Sequence, residues 1–197
     1  MSLRRAIRWV PYDGLGLEHL TIAEVHGGRP HDGLERDLGH HLRVRSTVIG
    51  HKDGADYGFL YDVFLRPDWT FISVAFQSVG GRSAMIHSDG EGNWTHSGGK
   101  PLPELQGCID IDISGTPFTN TLPIRRNRDW VIGEPRRFDM TWVPLDTLEP
   151  FRDGQIYTPL GGGKWRYQAA DGSFEAEITV DEDGLVLDYP GLFRRAK

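Results

Sequence analysis

The sequence has 197 residues, a formal charge of −6, one cysteine, 25 glycines and 12 prolines. A single cysteine excludes an internal disulfide framework and a multi-cysteine zinc site, and the acidic balance argues against nucleic acid or an anionic membrane surface as partner. At this length a single domain over residues 1–197 is expected, with a core that needs no staples.

The chain opens on a basic stretch with Arg4, Arg5 and Arg8. No apolar run follows that would make an export signal, and none reaches the ~18 residues of a membrane helix, so a cytoplasmic protein is expected. Strands are predicted near 5–10 and 17–25. Residues 26–41 read as a polar loop, a candidate lid. Its His26, His31, His40 and His41, interleaved with Asp32, Glu35 and Asp37, fit no metal-binding face, because His40 and His41 would point in opposite directions on a strand. After a strand over 42–50, Tyr57, Phe59, Tyr61, Val63 and Leu65 alternate with Gly58, Leu60, Asp62 and Phe64. That strand is apolar on both faces, one for a core and one for a cavity.

Period two continues. Ile72, Val74 and Phe76 form one set, and residues 82–88 and 108–114 read as further strands. Phe138, Met140 and Trp142, then Trp165 and Tyr167, then Phe174, Ala176, Ile178 and Val180 carry the pattern on, and 184–189 closes it. Turn signals punctuate the strands at Asp13-Gly14, Gly27-Gly28, Asp53-Gly54, Gly80-Gly81, Asp89-Gly90, Asp153-Gly154, Asp171-Gly172 and Asp183-Gly184. With no helical insert to make parallel crossovers, the expected class is all-β, mainly antiparallel, with few or no helices. A sheet of about a dozen strands must curl into a barrel or fold into a sandwich.

The catalytic templates G-x-S-x-G, H-E-x-x-H and the phosphate loop are absent. Gly161-Gly162-Gly163-Lys164 runs into a strand and reads as a hairpin turn, as does Asp181-Glu182-Asp183-Gly184. The sharpest segment is 105–126. In a strand, Cys108, Asp110 and Asp112 share one face, and two carboxylates there need counter-charges that Arg125 and Arg126 can supply. Thr116-Pro117 and Leu122-Pro123 restrict the backbone, and Asn120 suits local hydrogen bonding. The segment reads either as a carboxylate–arginine network pinning an irregular crossover, or as a polar floor for a ligand head group. A glycosidase pair comes from different strands, which Asp110 and Asp112 do not supply. Cys108 reads as a small buried hydrophobe.

Asp-Ile-Asp-Ile-Ser-Gly-Thr-Pro-Phe-Thr-Asn-Thr-Leu-Pro-Ile-Arg-Arg (110–126) resembles the signature of the glycolipid-binding family, a bacterial family first recorded as a domain of unknown function. Leu17-Glu18-His19, Tyr61 ahead of Trp69, Gly90-Glu91-Gly92-Asn93-Trp94, and Leu102 with Leu105-Gln106-Gly107-Cys108 are similar in the same order. Gln155-Ile156-Tyr157, Trp165-Arg166-Tyr167 and the stretch from Val180 to Pro190 complete the likeness. It spans roughly residues 9–194. The resemblance implies a splayed, incompletely closed antiparallel β-barrel, similar to periplasmic lipoprotein carriers. It brings no catalytic residues.

The expected function is therefore binding or carriage of a glycolipid or other amphipathic ligand in an open barrel. Asp110, Asp112, Asn120, Arg125 and Arg126 would meet polar groups at one end; Tyr61, Trp69, Trp142, Tyr157 and Trp165, with Phe71 and Tyr167, would line the cavity. The alternatives are a hydrolase or isomerase acting on a sugar-like or amphipathic substrate with Asp110 or Asp112 as acid–base, and an interaction module forming a homodimer through edge strands. No catalytic residue, cofactor or metal site is assigned.

Overall fold

The computed structural model describes residues 4–27, 39–52 and 54–196. The centre of the expected lid, 28–38 with His31, Asp32, Glu35 and Asp37, lies outside them. The alternating runs become strands: β1 (Arg4–Pro11), β2 (Gly16–His26), β3 (His40–Lys52), β4 (Ala55–Leu65), β5 (Phe71–Ser78), β6 (Ser83–Ser88) and β7 (Trp94–His96) in the first half. β8 (Ile111–Ile113), β9 (Arg136–Val143), β10 (Phe151–Gly161), β11 (Lys164–Ala169), β12 (Glu175–Val180), β13 (Val186–Tyr189) and β14 (Phe193–Arg195) make the second.

All of them belong to one sheet in the order β7-β6-β5-β4-β3-β2-β1-β14-β13-β12-β11-β10-β9-β8. Neighbours are antiparallel except β8, which runs parallel to β9. The sheet is not closed, as a splayed barrel requires: β7 and β8 are its edges. Each edge strand is three residues long, and each is covered locally. Leu102 N–H donates back to the Trp94 carbonyl of β7 at 2.9 Å, and the Ile113 N–H of β8 donates to Thr119 Oγ1 at 3.3 Å. Short, covered edges offer little template for strand pairing with another chain.

Strand direction alternates, so the turns fall into two groups. The β1–β2, β3–β4, β5–β6, β9–β10, β11–β12 and β13–β14 turns gather at what we call the upper end, and the remaining hairpin turns lie at the lower end. The histidines described in the expected loop are strand ends. His26 and His40 pair across β2 and β3 with their rings stacked 4.6 Å apart, and His41 is buried.

Three strands lie outside the expected set, and the one short α-helix among the described residues fits the expectation of few or no helices. β7 and β14 are too short to show a period. β10 was hidden because Asp153-Gly154, read as a turn, lies inside it, paired with Met140 and Asp139 of β9. Gly154 is needed there for close approach, since a Cβ would stand 2.7 Å from the Ala170 Cβ. A 3₁₀ turn (Phe118–Asn120) runs directly into α1 (Thr121–Arg126).

The core has two parts. Inner faces of β1–β6 close over Leu105, Ile111, Phe118 and Leu122 of the crossing segment that leads from β7 through β8 to α1. Tyr157, Trp165, Tyr167, Ile178, Val186 and Tyr189 form a second cluster, joined by Ile124. β4 corrects the two-faced reading. Phe59, Tyr61, Val63 and Leu65 point into the first core, whereas its other face is the outside of the sheet: Leu60 is half exposed, and Phe64 is covered by His41 and the Arg43 guanidinium.

Candidate functional site

The crossing segment supplies the polar wall of the molecule. Trp94 Nε1 donates to the Cys108 carbonyl at 2.7 Å, and the Thr141 N–H donates to that of Asp110 at 2.9 Å, which delivers the chain into β8. Beyond β8, Thr116 Oγ1 accepts the Phe118 N–H at 3.0 Å and starts the helical turn. Pro117 and Pro123 sit in the first turns of the 3₁₀ and α segments, where a missing amide costs little.

Each carboxylate of this segment has its own partner. Asp110 is 1% exposed and accepts two bonds from Arg126, Nε at 3.0 Å and Nη2 at 2.7 Å. Burial pushes its carboxyl up while the guanidinium pulls it back. Asp112 accepts Thr119 Oγ1 on one oxygen and Gln155 Nε2 on the other, both at 2.6 Å. Its carboxyl is raised by burial, against the pull of these two donors. The network continues as Tyr157 Oη donates to Gln155 Oε1 at 3.1 Å and Asn120 Nδ2 donates to Tyr157 Oη at 3.0 Å.

A cavity of about 520 Å³ opens at the upper end against this wall. Pro11–Asp13, His51 and Gly191–Phe193 of the upper turns and strand ends rim it, and Asp112–Thr116 with Asn120 form its polar side. Tyr57, Trp142, Tyr167, Phe174 and Tyr189 complete it. The hydroxyls of Tyr167 and Tyr189 are raised, chiefly by burial and further by negative charge including Asp112, and so remain protonated donors. Among the described lining residues there is no lysine or arginine. The His51 imidazole is engaged at 2.8 Å by Asp56.

The candidate residues are thus divided. Asp112, Asn120 and Trp142 line the cavity, and Tyr157 braces Asn120 from behind. Asp110 and Arg126 pair beneath the wall and do not reach it, so Asp110 and Asp112 do not face a common substrate. Arg125 joins neither carboxylate; its guanidinium lies 5.2 Å over the Trp69 ring. That pair stands at the lower end, where Trp69 is buried with a left-handed backbone (φ 73°) in the β4–β5 turn. Trp165, next to the β10–β11 turn, packs edge-on to Trp130, and Phe71 stacks on Trp94. These rings fill core because inward positions of a narrow sheet must be packed.

Tyr61 also points into the core, where it meets a group that the candidate list omitted. Glu18 of β2 is 3% exposed. Its Oε1 accepts Ser46 Oγ at 2.7 Å and Tyr61 Oη at 2.5 Å, while Oε2 has no hydrogen-bond partner. Tyr61 Oη lies 3.2 Å from Thr116 Oγ1, and Thr116 lines the cavity, so Glu18 stands one side chain behind its wall. Burial pushes its carboxyl up to about 7. Parity carried the signal: Glu18 shares its strand face with Leu20 and Ile22.

A family model described as "Putative glycolipid-binding" matches residues 6–195. A crystal structure of a DUF1089 family protein from Pseudomonas aeruginosa is similar, with 33% sequence identity and a TM-score of 0.71 over 90% of this chain and 92% of that one. No curated protein matches the sequence. No helix among the described residues is long and apolar enough to cross a membrane.

Proposed function

The chain belongs to the glycolipid-binding family, and on that premise we propose that it binds an amphipathic glycolipid through an uncharged sugar seated in the upper cavity. The observation that carries this is the composition of the cavity lining: seven tyrosine, tryptophan and phenylalanine rings, Asp112, Asn120 and Thr116, and no lysine or arginine. Aromatic faces pack against the C–H face of a pyranose, and a carboxylate, an amide and a hydroxyl take its hydroxyl groups. Phosphate or sulfate head groups need charge-assisted donors, which this wall does not offer. The volume falls within the range of about 300–1,000 Å³ of ligand pockets.

Titration calorimetry with octyl glucoside below its micelle concentration, against octyl phosphate of the same chain length, tests the reading. The glucoside is expected to bind and the phosphate to bind at least about tenfold more weakly, with Trp142→Ala lowering glucoside affinity by a similar factor. Equal or tighter binding of the phosphate, or no binding of the glucoside, overturns it.

A further inference from the structure

We propose that the upper end docks on a bilayer of uncharged or zwitterionic lipid, with the side chains around the cavity mouth entering the interface. The proposal rests on the reading of the cavity as a glycolipid site, because an amphiphile held by its sugar comes from, and returns to, a lipid phase.

The surface itself points there. Large apolar side chains are exposed at twelve described positions, and eight of them stand on or beside the six upper turns. Tyr12, Leu15 and Leu17 flank β1–β2, Ile49 stands near β3–β4, and Val79, 80% exposed, is on β5–β6. The other half contributes Phe151 after β9–β10, Phe174 on β11–β12 and Leu192 on β13–β14. Every upper turn is thus represented. The lower end carries fewer among the described residues: Leu187 follows the β12–β13 turn, and Ile132, next to Val131, lies beside the β10–β11 turn against Gly161. Leu60 stands within β4.

Tyr12, Phe174 and Leu192 both line the cavity and meet solvent, so the apolar ring is continuous with the mouth. Separate tips on six turns around an opening do not make the flat, contiguous core of a protein interface, and a protein seated there would seal the cavity. They suit shallow insertion among lipid head groups, where each buried apolar group adds to binding. Charge selects the lipid. Among the described residues of these turns Asp13, Asp146, Glu149 and Asp171 outnumber Arg82, the one cation, so an anionic surface would repel this end.

Flotation with phosphatidylcholine vesicles tests the proposal on the whole protein. Wild type is expected in the floating fraction, with recovery falling as phosphatidylglycerol is added. The triple variant Leu15→Ser, Ile49→Ser, Val79→Ser, none of them a cavity-lining residue, should lower vesicle partition at least about tenfold, whereas Leu60→Ser with Ile132→Ser should leave it unchanged. Octyl glucoside binding by the rim variant separates this idea from the cavity reading: retained glucoside binding with lost flotation is the expected pattern. Failure of wild type to float, equal loss in both variants, or a wild-type dimer that the rim serines convert to monomer would each overturn membrane docking whatever the glucoside result. Absence of glucoside binding in wild type would instead sink the cavity reading.

Discussion

Glu18 is an acid placed where a leucine would ordinarily sit. Ser46 and Tyr61 hold one carboxyl oxygen, the other has no partner, and the neutral form is favoured by burial. The folded-state value, about 7, exceeds the ordinary 4.5, so the fold binds the proton more tightly than the unfolded chain does. The stability that protonated Glu18 allows is full below pH 4.5 and is lost as pH rises towards 7, in total about 3 kcal/mol. Urea unfolding of Glu18→Gln against wild type isolates this group from the other buried acids. The variant's stability relative to wild type should increase across that window and then level off; a constant difference would show that Glu18 does not titrate there. The residue was within reach of the sequence, since it shares parity with Leu20 and Ile22 and stands in a family-like Leu17-Glu18-His19. Its partners on β3 and on the crossing segment were not, because they depend on register and on how a long connection lies.

At the scale of elements, the crossing segment is fastened chiefly by the buried pair between Asp110, just ahead of β8, and Arg126, the last residue of α1. Arg126→Met removes one partner and leaves a buried carboxylate, which costs about 3–5 kcal/mol. Adding Asp110→Asn should recover part of that loss, and thermal melts of the two variants measure the difference. If the double variant is the less stable, the pair contributes net attraction rather than fixing geometry. Strands were legible wherever an alternating run exceeded four residues, as in β4 and β12. β10 was not, because Asp153, Gly154, Pro159 and Gly161 are turn residues by type yet stand in an eleven-residue strand. Tertiary packing of Gly154 against Ala170 overrides the local preference. The helical turn was masked by Pro117 and Pro123, whose places in first turns only the structure reveals. For the site, Asp112, Asn120 and Trp142 of the candidate set line one cavity, as does Tyr167. Tyr61, Trp69, Phe71, Tyr157 and Trp165 pack in the core instead, because a strand pattern says which side chains turn inward but not whether they meet a void or one another.

Across the described residues, fourteen strands share one sheet whose two halves are sewn together where β1 lies beside β14. Trp9 strengthens that seam: its Nε1 donates to the Val186 carbonyl at 2.8 Å, and Asp181 receives both Arg5 and Arg195 at 2.6 Å. The cavity opens above it, with Pro11 and Phe193, partners in register, both on its rim. The spatial order therefore starts and finishes at chain positions 94–96 and 111–113, while the first and last strands of the chain meet in the middle. Such an arrangement is a circular permutation of a meander that has one parallel edge strand, β8. A chain re-cut between Gly98 and Gly99, with a flexible linker from β14 to β1, would run through the sheet strand by strand; the contacts at the β1–β14 seam would become local, and those that residues 100–108 make with Gly92–His96 would become distant. Refolding, monitored by tryptophan fluorescence in stopped flow, should quicken where the β1–β14 seam forms in the rate-limiting step, since its pairings become local. Unchanged or slower refolding would mean that the β1–β14 seam forms after the rate-limiting step, each half having already folded on its own side.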